Sequence, residues 1–536
     1  MNRPTLSLIA VATALAAVTG FAALSAPEPG EDTAGAAAAR LPVERTSLVC
    51  PAPSTSDLAE TTYTSFTPAT DGADGKGAAA LHAVDGKAAD DGKGDEDGKK
   101  DGEKDGAEND DGEKDGVEQG DEGKDGEKDG AKAGGEKARK PVLEPKETGK
   151  PVTGDASGGE APALTGTAEG RFAPGWTVQQ TTEVAAGTGR GLQGVSCTAP
   201  DTEFWFPGAS TDSDRTDYVH LTNPDDSAAV VDIELYGKDG ALKTVVGDGI
   251  TVQPNSTEPV LLSTLTETEQ TDVTVHVVVR SGRVGAAVQA LDDKLGGDWL
   301  AASADPSGSL VLPGIPKDAT AVRLVLFTPG STDADLKVRL ASPSGPITPA
   351  GHETVHVKAG MTTAVDLGDV TRGEPGSLVL TPTGRSVPVV AAVRVLRGKS
   401  DAQESAFIPA ARPVGARATA AGNTAKGTVL AVTAPEGTAK VKVTASAGSE
   451  GGTPAAKTYT IKSGTTQHIE APVPGGLKGT YALTVEPEPG ATPVYASRTL
   501  TATDDGVPAF TVQPLPDDRG LVSVPRARED LSVLQK

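Results

Sequence analysis

The stretch Gly351 to His356 reads GHETVH, so His352, Glu353 and His356 have the His-Glu-x-x-His spacing of a zinc peptidase. On a helix that spacing sets two imidazoles one turn apart on one face, with the Glu beside the metal-bound water. The surrounding residues disfavour a helix: Thr354 and Val355 are β-branched, Pro349 and Gly351 form a turn before them, and Gly360 forms one after. In an extended strand each residue advances about 3.3 Å, which puts histidines four apart about 13 Å from each other. One zinc takes each nitrogen at about 2.1 Å, so an extended pair does not share it. No third ligand follows, and the expectation is that no metal binds here.

Other residues suited to chemistry are few. His82 stands in an acidic tract, while His220, His276 and His468 stand in runs that read as strands. There is no Gly-x-Ser-x-Gly elbow, and AGSEGG, from Ala447, has alanine where a phosphate-cradling loop needs its first glycine. Asp292 and Asp293 adjoin at a strand exit, where solvated turns carry such pairs, and nothing local marks a glycosidase pair. The expectation is no catalytic residue, no cofactor and no metal ligand. Trp176 and Trp299 are candidates for stacking on a glycan if they stand on an open sheet face. Packing near module junctions is the preferred reading for them and for Trp205, which lies in the apolar run FWFPGA.

The elements that position these residues repeat. VVDIELYG from Val230, DLKVRLAS from Asp335 and KVKVTASA from Lys440 are spaced by 105 residues. The same offset links VTV at Val273, LVL at Leu378 and LTV at Leu483. A further strand recurs as YVHLTNP at Tyr218, RLVLFTP at Arg323 and, one residue later, VLAVTAP at Val429. Each segment alternates apolar and polar residues between Pro, Gly, Asn or Ser turns, the pattern of half-buried antiparallel strands. In this register His356 matches Thr251 and, with a slip of one, Thr460; His220 matches Val325 and Ala431.

Three copies of roughly 100 residues have the size and pattern of immunoglobulin-like β-sandwiches. LVCPAP at Leu48 resembles FWFPGA at Phe204, LVLPGI at Leu310 and AFIPAA at Ala406, which makes the N-terminal region a diverged fourth copy. The expected architecture is all-β: tandem sandwiches over 41–200, 201–300, 301–405 and 406–516, with a tail at 517–536. The first copy carries an insertion, 71–148, where Asp-Gly-Glu-Lys-Asp-Gly repeats with almost no apolar residue. Such a tract buries too little surface to offset its ordering entropy and is expected to be disordered. Cys50 and Cys197 flank it, and are expected to form a disulfide tying the first copy together.

Arg3 before the apolar run Leu6 to Leu24, then Ser25, Ala26 and an acidic flank, make residues 1–26 a secretory signal. The run is also long enough to remain as a membrane anchor. The net charge of −25 and the scarcity of aromatic residues (3%) argue against nucleic acid, which needs a basic stripe to neutralise phosphates. They also disfavour an anionic bilayer, leaving the N-terminal segment as the one expected membrane contact.

LPVERTSLVCPAPSTSDLAETTYTSFTPA, GVSCTAP followed by TEFWFPGAS, and YVHLTNPD together resemble an exported actinobacterial family known as domain of unknown function 5719. That resemblance implies a protein of a high-GC Gram-positive envelope and brings no catalytic residues. The function expected is a non-catalytic extracytoplasmic envelope or surface protein, serving as a spacer or as a platform for protein partners. The alternative is a protein binding envelope glycans, and an envelope hydrolase stands third.

Overall fold

The computed structural model describes residues 39–73, 75–84, 140–400, 402–502 and 509–524. The signal or anchor segment 1–26 and most of the acidic insertion lie outside the described residues. Those described are all-β, with two single 3-10 turns, Gly170–Phe172 and Leu262–Thr264, and no α-helix. The chain divides into a main body, Pro42–Gly520, and a smaller part in which Ala39–Pro42 pairs with Leu521–Val524 as a two-stranded ribbon.

The main body builds one seven-strand pattern four times. In the second module the strands are Glu203–Ala209, Arg215–Asn223, Ala229–Gly237, Ser256–Leu261, Val273–Ser281, Gly285–Asp292 and Gly296–Leu300. The first, fifth and third form one antiparallel sheet; the fourth, second, sixth and seventh form the other. The same order recurs in the first module (Arg45–Cys50 through Gly191–Ser196), the third (Leu310–Ile315 through Ala402–Pro409) and the fourth (Ala418–Asn423 through Phe510–Pro514). The 105-residue offset is the structural one. Val231, Ile233 and Leu235 point into the second module's core, as Leu336, Val338 and Leu340 do in the third and Val441, Val443 and Ala445 in the fourth. Each core joins side chains from both sheets, and each large apolar residue buried there stabilises by roughly 1.5–3 kcal/mol.

Three expectations need correction. AFIPAA is not the opening strand of the last module: Ala402–Pro409 pairs with Val390–Lys399 and closes the third, so that module runs past residue 405. The fourth opens with Ala418–Asn423, which pairs with Tyr481–Pro487. A first strand and a seventh strand look alike in sequence because each is buried on both faces and ends near a proline.

Second, ordered structure reaches into 71–148 from both sides. Ala79–Ala83 is the third strand of the first module, pairing with Leu164–Glu169, and Leu81 and Leu143 bridge to each other with both side chains buried. His82 therefore sits in a strand. The described residues on either side of 85–139 lie between the third and fourth strands, where the other modules have strands edging the third.

Third, the modules are not strung in a line but close on themselves. The 1-5-3 sheet of each covers the outer face of the 4-2-6-7 sheet of the next. Trp205 of the second module stacks on Phe327 of the third at 5.5 Å between ring centroids, and Ser377 of the third shares a 2.7 Å hydrogen bond with Thr433 of the fourth. The fourth meets the first through Ala421 and Ala482 on Phe66, with the Ala421 N–H donating to Gln179 Oε1 at 2.6 Å. The first meets the second where Val49 packs on Gly285, so tightly that a Cβ there would come within 2.6 Å of the valine.

Candidate functional site: the centre of the ring

The four seventh strands pack against one another in order around the middle of the body. Such close approach needs small residues. At Gly194 a Cβ would lie 2.6 Å from the Thr511 methyl, and at Gly297 2.8 Å from the Gly189 Cα. Asp298, between Gly297 and Trp299, is fully buried at this crossing and is held by every other module. The Gly194 N–H of the first donates to its Oδ1 at 3.1 Å, the Phe407 N–H of the third to Oδ2 at 3.4 Å, and the Thr511 hydroxyl of the fourth to Oδ1 at 3.0 Å. All of these donors are uncharged. Burial therefore holds the carboxyl well above the usual carboxylate range, and the hydrogen bonds offset this only in part.

Beside this hub lies a cavity of about 410 Å³, walled mainly by apolar side chains from all four modules. That is within the range of small-ligand sites. Exposed residues on its rim, among them Thr198, Asp201, Asp305 and Arg519, open it to solvent. All three tryptophans contribute to its wall, and none stands on an open sheet face. Trp176 is 3% exposed, with its Nε1–H donating to Ser65 Oγ at 2.9 Å, and Trp299 is 2% exposed. Neither is thus an open stacking platform: Trp176 packs in the core of its own module, and Trp299 is covered by Val195 of the neighbouring one.

His220 also lines the cavity, 5.1 Å edge-on from Trp299. Burial pushes its pKa down to about 4, so it is a neutral imidazole. By geometry neither of its ring nitrogens has a hydrogen-bond partner among the described residues; Gln289 beside it, whose Oε1 is likewise unpartnered, offsets the effect of burial only in part and donates its amide to Pro53 O and Gln193 Oε1, both at 3.0 Å. From sequence, His220 reads as an ordinary sheet-face residue rather than a ligand, because two other copies carry Val325 and Ala431 there, and Asp298 is not singled out.

The disulfide joins Cys50, ending the first strand of its module, to Cys197, just after the seventh. Val49 and Thr198 exchange backbone hydrogen bonds of 2.8 and 3.0 Å beside it, so the bond staples two adjacent strand ends across the insertion. It borders the cavity through Cys197.

The peptidase-like residues lie elsewhere. Thr354–Val357 is a strand with Val355 and Val357 buried and Thr354 and His356 exposed. His356 stands opposite Asp335, as Thr251 stands opposite Val230 and Thr460 opposite Lys440. Its Nδ1 is 2.8 Å from Asp335 Oδ1. His352 is in the preceding turn, its N–H donating to Pro349 O at 3.1 Å. Among the described residues no three His, Cys, Asp or Glu side chains group to hold a metal ion.

Fold and site thus define an all-β chain of four internal repeats closed around a shared centre. It belongs to the family of unknown function DUF5719, whose model matches residues 152–472, more than half of the chain. The match begins at the fourth strand of the first module and ends just past the fourth strand of the last, so it spans three periods of the repeat and starts beyond the acidic insertion. No curated protein and no solved structure matches the chain significantly.

Proposed function

We propose that this is a non-catalytic extracytoplasmic envelope protein, whose four modules, immunoglobulin-like sandwiches in architecture, form a rigid platform around a binding cavity. The observation that carries this reading is the hub: one buried carboxyl group accepting hydrogen bonds from three other modules ties the cavity walls together. Pre-organised walls suit binding, since less ordering is lost when a ligand enters. An exported location is supported by the Cys50–Cys197 disulfide, of a kind that persists in oxidising compartments, and by the apolar 1–26 segment.

The test is a pull-down with the purified protein from envelope extracts, reading both proteins and glycans, beside fractionation of cells making the full chain. The expected result is a specific envelope component, and protein recovered outside the cytoplasm with no free thiol. Cytoplasmic recovery with two free thiols would refute the location and the platform together. Envelope glycan binding is the second reading, favoured by the aromatic wall of the cavity.

A further inference from the structure

We propose that the central cavity is a saccharide site for a neutral ligand of about one or two sugar rings, packed on its mainly apolar wall with its hydroxyls toward His220, Trp299, Ser303 and Gln513. This deepens the platform reading, on which it rests.

Volume admits a small ligand, and charge narrows its class. The lining carboxylates include Asp201, Glu203, Asp305 and Asp517 against the cations Arg412 and Arg519, and Arg412 is already paired with Asp305 at 2.7 Å. An anionic ligand meets a like-charged rim. The wall then separates apolar from hydroxylated ligands. Both ring nitrogens of His220, Nε1 of Trp299, Oγ of Ser303 and Nε2 of Gln513 are buried without a hydrogen-bond partner among the described residues. A buried hydrogen bond left unmade is destabilising. A purely apolar ligand leaves that cost in place, whereas hydroxyls arrayed around an apolar ring remove it and still cover the aromatic surface.

The repeat supplies an internal control. At the position of His220 the third module has Val325 and the fourth has Ala431, both buried, so the fold itself asks only for a small apolar side chain. At the position of Trp299, paired with Gln289 across the sheet, the third module has Phe407 and the fourth Val512. The second module thus carries polar atoms where the third and fourth carry apolar side chains. These atoms belong to residues that line the cavity.

All three tryptophans of the chain line this cavity, which makes intrinsic emission of the intact protein a reporter of it. The purified protein is titrated with glucose, N-acetylglucosamine, cellobiose and chitobiose, with glucuronate and indole as anionic and apolar probes, and with calorimetry alongside. The expected result is a saturable emission shift and heat with a neutral saccharide, weaker or absent with both controls. His220→Val should weaken binding at least tenfold and leave the melting midpoint unchanged or raised; Ser303→Ala should weaken it less. Absence of any saccharide response, equal binding by His220→Val, or a preference for glucuronate or indole would overturn the assignment. The same two proteins serve as baits in envelope extracts. Equal capture of a protein partner by both, with no saccharide response, would remove the sugar site and leave the platform. A disaccharide recovered as monosaccharides would instead overturn the non-catalytic reading and leave the site standing.

Discussion

Asp298 shows how one residue sets the chemistry of the centre. Its folded pKa is raised, so the folded protein holds a proton that the unfolded chain has already released. Its contribution to stability is therefore greatest below the ordinary carboxylate pKa of about 3.9 and declines as pH climbs toward the folded value. Asp298→Asn, neutral at every pH, should melt higher than wild type at pH 8, with the advantage closing as pH falls toward 4; parallel pH profiles of the two melting midpoints would contradict this. Asp298→Ala removes the acceptor of three buried donors and should destabilise by about 3 kcal/mol or more at any pH in that range. The neighbouring Arg498 faces the same pressure: fully buried, it is pushed down to about 9, yet keeps its Nε–H on Gln513 at 2.7 Å and Nη1 on Asn423 at 3.2 Å. Sequence gave no hint of either residue, because the pattern of a strand reports which way a side chain points and not what a distant module places against it.

At the level of elements, the third and fifth strands were the most legible, since Val231, Ile233 and Leu235 and their copies keep strict alternation over one buried face. Strands buried on both faces were read less well: Leu310–Ile315 is a continuous apolar run and Ala402–Pro409 ends in one, and nothing local tells an opening strand from a closing one. The cysteine pair was legible from its number and flanks alone. Replacing Cys50 and Cys197 together by serine should cost about 2–5 kcal/mol, for a link spanning a sequence separation of 147. Wild type should lose the same increment when reduced, and indifference of its melting midpoint to reductant would deny the staple. The insertion calls for a different cut from the one its composition suggests. Because Leu81 and Leu143 pair, the chain positions flanking residues 85–139 are already brought together, and deleting 86–138 should leave the melting midpoint unchanged or raised, each halving of a loop returning about 0.6 kcal/mol. A deletion beginning at residue 75 would take away the strand Ala79–Ala83 and should unfold the first module; equal stability of the two deletions would contradict that strand.

At the scale of the whole molecule, the number of modules was legible and their closure was not. A period of 105 residues fits a row of beads as well as a ring, and the contacts that decide between them, such as Phe66 with Ala421, join residues far apart in sequence. Closure predicts cooperativity: the main body should melt in one transition with matching calorimetric and van't Hoff enthalpies, and Phe66→Ala, about 3–5 kcal/mol in a packed seam, should lower that single midpoint rather than release one module. Resolved, independent transitions would argue for beads. The hydrogen bond from the Val43 N–H to Gly520 O, 3.1 Å long, brings the beginning and end of the main body together. Four modules in a row would act as a strut, adding the length of each to the distance between the two ends and carrying tension through every junction. Here a pull on the two ends of the body meets at one seam and bypasses the other three, which leaves almost no reach to give as a spacer and shields the cavity from mechanical load.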